Sequence, residues 1–193
     1  FHGYINQSKA ASSEPSLYLD IHGHAHPLER VELGYLLSAN RLDTNNLDPG
    51  VSSINRLASA VSISFEDLLR GNSSYGGILE EEGYPSVPSP SSPGPDGNPY
   101  FTGGFDTRMH GSRYGGNTDA IQIESPPTFR AAELRPAYTK ALAKTTQRFM
   151  EIQFGFTATV PSPDDGTPQR RGGGRKRGRK GRRGRQGRRT KKD

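Results

Sequence analysis

The 193-residue chain contains no cysteine, and only 30% of its residues are hydrophobic. Without cysteine there is no disulfide, no thiol nucleophile and no zinc site with thiolate ligands. No apolar run approaches the roughly 20 residues that a membrane-spanning helix needs, so we expect no membrane partner.

Positive charge is concentrated at one end of the chain. Residues 170–193 hold 14 of the 26 Lys and Arg residues and one acidic residue, a net charge of +13. The other 169 residues hold 12 basic and 19 acidic side chains, a net charge of −7. The sequence therefore predicts one mildly acidic domain over residues 1–156, a linker over 157–169 and a basic tail over 170–193.

Three of the five histidines fall in the stretch Tyr-Leu-Asp-Ile-His-Gly-His-Ala-His-Pro-Leu-Glu, residues 18–29. Apolar and polar residues alternate over 16–22, which predicts a strand with Asp20 and His22 on one face. A carboxylate two residues before a histidine can orient its ring or bind metal beside it. By itself, this histidine-rich turn fits a metal site and a set of surface histidines bonded to their own loop equally well.

The rest of the domain predicts a mixed α/β fold, in which helices flank a central sheet. The prolines and serines of residues 85–100 predict a long loop. Glu124 ends a predicted strand before two prolines, and is either a rigidly held reactive carboxylate or an ordinary solvated one. Further strands are predicted over 32–37 and 119–124, and helices over 2–13, 52–62, 65–70, 76–83 and from 136 onwards.

Several motifs together resemble the N-formylglutamate amidohydrolase family, which belongs to the zinc carboxypeptidase-like hydrolases. The resemblance spans about residues 1–153 and implies a carboxypeptidase-like mixed sheet with zinc at the carboxyl ends of the strands. It also implies hydrolysis of a small N-acyl amino acid. The motifs are Leu19-Asp-Ile-His-Gly-His-Ala-His-Pro, Glu32-Leu-Gly-Tyr-Leu-Leu, Phe65-Glu-Asp-Leu-Leu-Arg-Gly, Pro88-Ser-Pro, His110-Gly-Ser-Arg and Gln122-Ile-Glu.

The resemblance implies roles for five residues. His22 matches one zinc ligand, Asp20 would orient it, and Glu124 matches the general base of the reaction. Arg113 and Arg130 are the candidates to bind a substrate carboxylate, because a guanidinium group donates two parallel hydrogen bonds.

The family's other two zinc ligands come from a His-x-x-Glu motif on an earlier strand, which would lie before Phe1. His26-Pro-Leu-Glu29 has the same letters but follows the Asp-x-His motif, so the role is not transferred to it. We therefore expect one zinc ion only in a chain that supplies the upstream ligands. The sequence as given is expected to be an inactive fragment whose fold is incomplete at its amino terminus.

The tail has no apolar residue, which predicts disorder and attraction to an acidic polymer. It lacks the interleaved aromatic residues of single-strand binders, so nucleic acid is possible but not favoured. Its composition resembles the basic, glycine-rich ends of extracellular matrix proteins from calcified tissues. The alternative function is thus a secreted matrix protein that keeps a hydrolase-like fold. The expected polyanion-binding residues are Arg175, Lys176, Arg177, Arg179, Lys180, Arg182 and Arg183.

Removal of residues 170–193 should abolish retention of the protein on a heparin column at low salt, because the remaining chain is net negative. Elution of the intact chain should require added salt, since salt screens the attraction. A chain of full length with the seven named Lys and Arg residues changed to Gln controls for tail length. Equal retention of the truncated and intact chains would show that the tail is not the binding element.

Overall fold

A four-stranded mixed sheet forms the centre of the computed structural model, which describes residues 2–11 and 13–157. The strand order is β1-β4-β2-β3; β4 is parallel to β1 and antiparallel to β2, and β2 is parallel to β3. The predicted mixed α/β class is confirmed. The strands are β1 Ser16–Gly23, β2 Val31–Gly34, β3 Ser86–Val87 and β4 Thr118–Ser125.

Helices pack against the sheet and against one another. Ser64 caps α4 by accepting the Asp67 backbone N–H at 3.0 Å, as the sequence predicted, and Gly155 ends α8 in the left-handed conformation at φ 70°. None of the described helices is long and apolar enough to cross a membrane. The helices are α1 His2–Ala10, α2 Ala39–Asp43, α3 Asn55–Ala60, α4 Phe65–Arg70, α5 Tyr75–Glu81, α6 Phe105–His110, α7 Pro127–Arg130 and α8 Arg135–Phe154, with 3-10 turns at Pro49–Val51 and Ser112–Tyr114.

The strand register gives the sheet one polar and one apolar face. Side chains in one cross-strand row share a face, and successive rows alternate between faces. The apolar face carries the row Ile21, Ile123 and Leu33. The polar face carries two rows. One row contains Asp20, Gln122 and Gly34, and the next contains His22, Glu124 and Glu32.

The hydrophobic core lies on the apolar face of the sheet. Tyr75 of α5 and Phe149 of α8 are fully buried there, with ring centroids 5.6 Å apart. Burial of a side chain of this size stabilises the fold by roughly 1.5–3 kcal/mol. Desolvation raises the pKa of Tyr138 on α8 to about 12, although its hydroxyl bonds the Ser125 hydroxyl at 2.8 Å.

The predicted apolar stripe of α8 is confirmed at Tyr138, Ala141, Thr145 and Phe149, which are buried. It is wrong at its end, where Ile152 is 47% exposed and Gln153 is buried instead. Gln153 takes this place because its amide donates to the Ser73 carbonyl at 2.9 Å.

The predicted loop over 85–100 contains a strand that the sequence did not indicate. β3 pairs with β2 there, and the segment from Ser86 to Ser89 is buried. Serine hydroxyls satisfy backbone carbonyls in this segment: Ser86 donates to Gly76 and Ser89 donates to Ser86. Local hydroxyl–backbone bonds of this kind make a proline-rich loop compatible with burial. The predicted linker beyond residue 157 and the predicted tail lie outside the described residues.

Asp119, near the start of β4, is completely buried and bonded at both oxygens. Oδ2 accepts from the Arg56 guanidinium, with the Nε contact at 2.8 Å. Oδ1 accepts from the Ser112 hydroxyl at 2.6 Å and from the Leu57 N–H at 3.1 Å. Burial raises the pKa of Asp119, whereas these bonds and the Arg56 charge act in the opposite direction.

Replacement of Asp119 by Ala should lower the free energy of unfolding by about 3–5 kcal/mol. The reason is that the Arg56 charge, the Ser112 hydroxyl and the Leu57 N–H would lose their common acceptor. Glu81→Ala is the matched control, since the Glu81–Arg148 pair is about half exposed and should contribute less than about 1 kcal/mol. Urea denaturation of both variants measures the difference. Similar losses in the two variants would contradict an anchoring role for Asp119.

Candidate functional site

The candidate site is the corner where β1 and β4 end, on the polar face of the sheet. His22 and Glu124 are register partners on these parallel strands, and Glu32 of β2 is the partner of Glu124 on its other side. In α/β sheets the crevice outside the carboxyl ends of parallel strands is where ligands usually bind. The structure therefore brings His22 and Glu124 together, although 101 residues separate them in the chain.

His22 is held by Asp20, as the Asp-x-His spacing suggests. The Nε2 atom of His22 lies 2.8 Å from Oδ1 of Asp20, and the Thr107 hydroxyl donates to Oδ2 of Asp20 at 3.2 Å. Asp20 is buried, whereas the His22 side chain is 49% exposed. The imidazole is thus oriented by a fixed carboxylate, and its Nδ1 has no hydrogen bond from the described part of the chain.

Glu124 is buried with one oxygen unsatisfied. Oε1 accepts from the Gln122 side-chain amide, whose own oxygen accepts the Gly104 N–H. Oε2 is buried and has no hydrogen-bond partner among the described residues. An unpaired buried acceptor costs roughly 1–3 kcal/mol, and such groups in folded proteins call for an explanation such as a catalytic role or a bound species.

Glu32 is the second buried carboxylate of the corner, and it is fully bonded. His26 Nδ1 lies 2.8 Å from Oε1 of Glu32, and the Phe101 N–H donates to Oε2 at 2.8 Å. The Phe101 ring stacks on the His26 ring, with centroids 4.6 Å apart. Glu32 therefore orients His26 much as Asp20 orients His22.

One segment, residues 101–107, donates a hydrogen bond to each of the three long strands across the polar face. Phe101 bonds Glu32 on β2, Gly104 bonds Gln122 on β4, and Thr107 bonds Asp20 on β1. The segment can approach because Gly34 has no side chain: a Cβ there would lie 2.5 Å from the backbone nitrogen of Gly103. The polar face is thus covered by a segment that fixes its side chains.

The two arginines predicted to bind substrate occupy different places. Arg130 lies at the corner, where its Nε donates to the Ser125 carbonyl at 3.1 Å and its Nη2 to the His24 carbonyl at 3.0 Å. Arg113 lies in the turn that precedes β4, near the amino end of that strand, and its guanidinium sits 5.5 Å from the Tyr114 ring centroid. The structure thus places only Arg130 beside the carboxyl ends of β1 and β4.

The fit of zinc to these residues can be judged from their donor atoms. Zinc needs at least three protein ligands, and His22 is in neither described group of three ligating side chains within 4.8 Å of one another. His24, His26 and Glu32 form one such group. However, His24 Nε2 lies 2.8 Å from the Arg30 carbonyl and its Nδ1 accepts the His26 N–H at 3.1 Å, so both nitrogens are engaged by backbone. Of the described residues at this position, His22 can therefore serve as one zinc ligand, but a complete zinc site there needs further ligands.

The sequence motifs gave no site role to Glu32. They left His24 and His26 as neighbours of the predicted zinc ligand His22, without a role of their own. The available signal was an acidic residue inside the apolar run from Val31 to Leu37, since a buried charge needs a partner. The seven predicted polyanion-binding residues of the tail lie outside the described residues.

Comparison with known proteins gives no match: no protein-family model, curated protein or solved structure is similar to this chain. The resemblance to the N-formylglutamate amidohydrolases therefore remains a prediction from sequence motifs. The proposal for function is therefore based on the fold and on the geometry of the corner.

In their neutral forms, His24 and His26 should be opposite tautomers. A carbonyl only accepts, so the contact to Arg30 places the His24 proton on Nε2, whereas the contact to the Glu32 carboxylate places the His26 proton on Nδ1. Long-range 1H–15N correlation spectra of the imidazoles distinguish the two forms. The same tautomer at both residues would contradict the hydrogen-bond network described above.

Proposed function

We propose that this protein is a zinc-dependent amidohydrolase that acts on a small N-acyl amino acid and has a carboxypeptidase-like sheet. The observation that carries the proposal is the pairing of His22 with Glu124 at the carboxyl ends of two parallel strands. A histidine oriented by a carboxylate and a buried carboxylate with an unpaired oxygen are the two kinds of group that metal-assisted hydrolysis needs.

In this proposal His22 is one zinc ligand and Asp20 is its orienting partner. A zinc ion held there needs at least two further protein ligands besides His22. Zinc, when bound, supplies Lewis acidity to a carbonyl and lowers the pKa of a coordinated water to about 7.

Glu124 is the general base of the proposed reaction. Its Oε2 has no donor among the described residues to compete for the lone pairs, so it can accept a proton from the water that attacks the amide. Gln122 holds the other oxygen and so fixes the carboxylate in place. The base is therefore oriented before substrate arrives.

Arg130 is the proposed group for the substrate carboxylate. A guanidinium has five N–H donors, and the two described bonds to backbone carbonyls use only two of them. The side chain is exposed and lies over Gly23, where the corner opens to solvent.

A second proposal concerns the tail, and the observation behind it is the net charge of +13 over residues 170–193. Such a segment suits a protein that adheres to an acidic polymer, as in an extracellular matrix. This function is compatible with hydrolysis, because the tail and the corner use different residues.

Glu124→Gln in the complete protein should lower kcat for hydrolysis of N-formyl and N-acetyl amino acids by at least about 100-fold, because the amide cannot accept the proton. Glu151→Gln is the matched control, since Glu151 is exposed and lies near the carboxyl end of α8, 27 residues after Glu124. Steady-state kinetics on both variants measures the change in kcat. Hydrolysis by Glu124→Gln at the wild-type rate would overturn the proposal.

A further inference from the structure

A second group of ligating side chains lies where α1 meets α6. It consists of His2 from α1 with Asp106 and His110 from α6, and one ligand atom from each lies within 4.8 Å of the others. Asp106 and His110 are four residues apart on one helix, a spacing that places side chains on the same face. His2 is 108 residues from His110 in the chain, so the fold itself brings the group together.

The two imidazoles already face each other closely. His2 Nδ1 lies 2.9 Å from His110 Nε2, and the ring centroids are 5.2 Å apart in a stacked arrangement. One of these nitrogens must carry the shared proton. Two nitrogens bound to one zinc at about 2.0–2.1 Å with tetrahedral geometry lie about 3.3 Å apart. A metal ion can therefore replace that proton after a small separation of the rings.

His110 is a rigid ligand. It is only 2% exposed, its Nδ1 is buried without a partner among the described residues, and the Tyr18 ring packs against it with centroids 5.2 Å apart. Asp106 supplies negative charge beside the pair, where its Oδ1 lies 3.5 Å from His2 Nε2, the ring nitrogen that does not face His110.

We infer that His2, Asp106 and His110 form a binding site for a divalent transition-metal ion of the zinc type. Two imidazole nitrogens and one carboxylate suit Zn²⁺, Cu²⁺ or Ni²⁺, whereas Ca²⁺ and Mg²⁺ prefer oxygen ligands alone. The site leaves a fourth coordination position for water or another group. It shares no residue with the zinc position proposed at His22.

The metal would fasten α1 to the rest of the domain. None of the described α1 residues is buried, so little apolar packing holds this helix in place. Its polar contacts to α6 include the His2–His110 pair, the His2–Asp106 pair and the Lys9 ammonium, which donates to the His110 carbonyl at 3.1 Å. Binding to the folded state alone raises the unfolding temperature by mass action.

Calorimetric titration of the chain with ZnCl₂ tests the inference. The variants are His2→Ala and Asp106→Asn, because both side chains are partly exposed and their replacement should leave the fold intact. Each variant should weaken zinc binding by at least about 100-fold, beyond the 10–100-fold effect typical of losing an outer partner of a ligand. Asp96→Asn, at an exposed position, and His22→Ala should leave this binding event unchanged. Co²⁺ substitution should give visible absorption bands that are lost in the same two variants.

Wild-type affinity in His2→Ala and Asp106→Asn, or no zinc binding by the unmodified chain, would overturn the inference. Loss of binding in His22→Ala with full binding in His2→Ala would assign the metal to the corner instead. A failure of the amidohydrolase proposal leaves this result unaffected, because the titration does not measure hydrolysis.

Discussion

The burial of β4 is the constraint on which the structure depends. All eight residues of this central strand are buried, although it carries two carboxylates and an amide. Asp119 is satisfied by Arg56, Ser112 and the backbone of Leu57, whereas Glu124 at the other end has one oxygen without a described partner. Because unpaired buried acceptors are costly, the difference separates a fully bonded, anchoring carboxylate from one that calls for an explanation such as a bound species.

The elements around β4 are arranged to satisfy its polar face. The segment 101–107 gives one hydrogen bond to each long strand, and the glycine pair Gly34 and Gly103 allows its close approach. Asp20 and Glu32 then each orient a histidine, on either side of Glu124. The corner thus holds the carboxylates of Asp20, Glu124 and Glu32 and the imidazoles of His22 and His26, on a sheet whose other face carries the hydrophobic core.

The sequence predicted those features that depend on local pattern. Alternation over β1 placed Asp20 and His22 on one face, and Ser64 and Gly71 bounded α4 correctly. The sequence could not predict β3, because its strand character arises from pairing with β2 rather than from its own proline-rich composition. The roles of Glu32, His24 and His26 also depend on which strands become neighbours, and a local pattern does not contain that information.

Anomalous X-ray scattering from crystals of the zinc-loaded protein locates each bound metal ion separately, and so shows whether His22 is a zinc ligand. We expect a zinc ion within about 2.1 Å of a His22 ring nitrogen, on the polar face of the sheet that also carries Glu124. Crystals in which zinc occupies other sites while His22 binds none would contradict it.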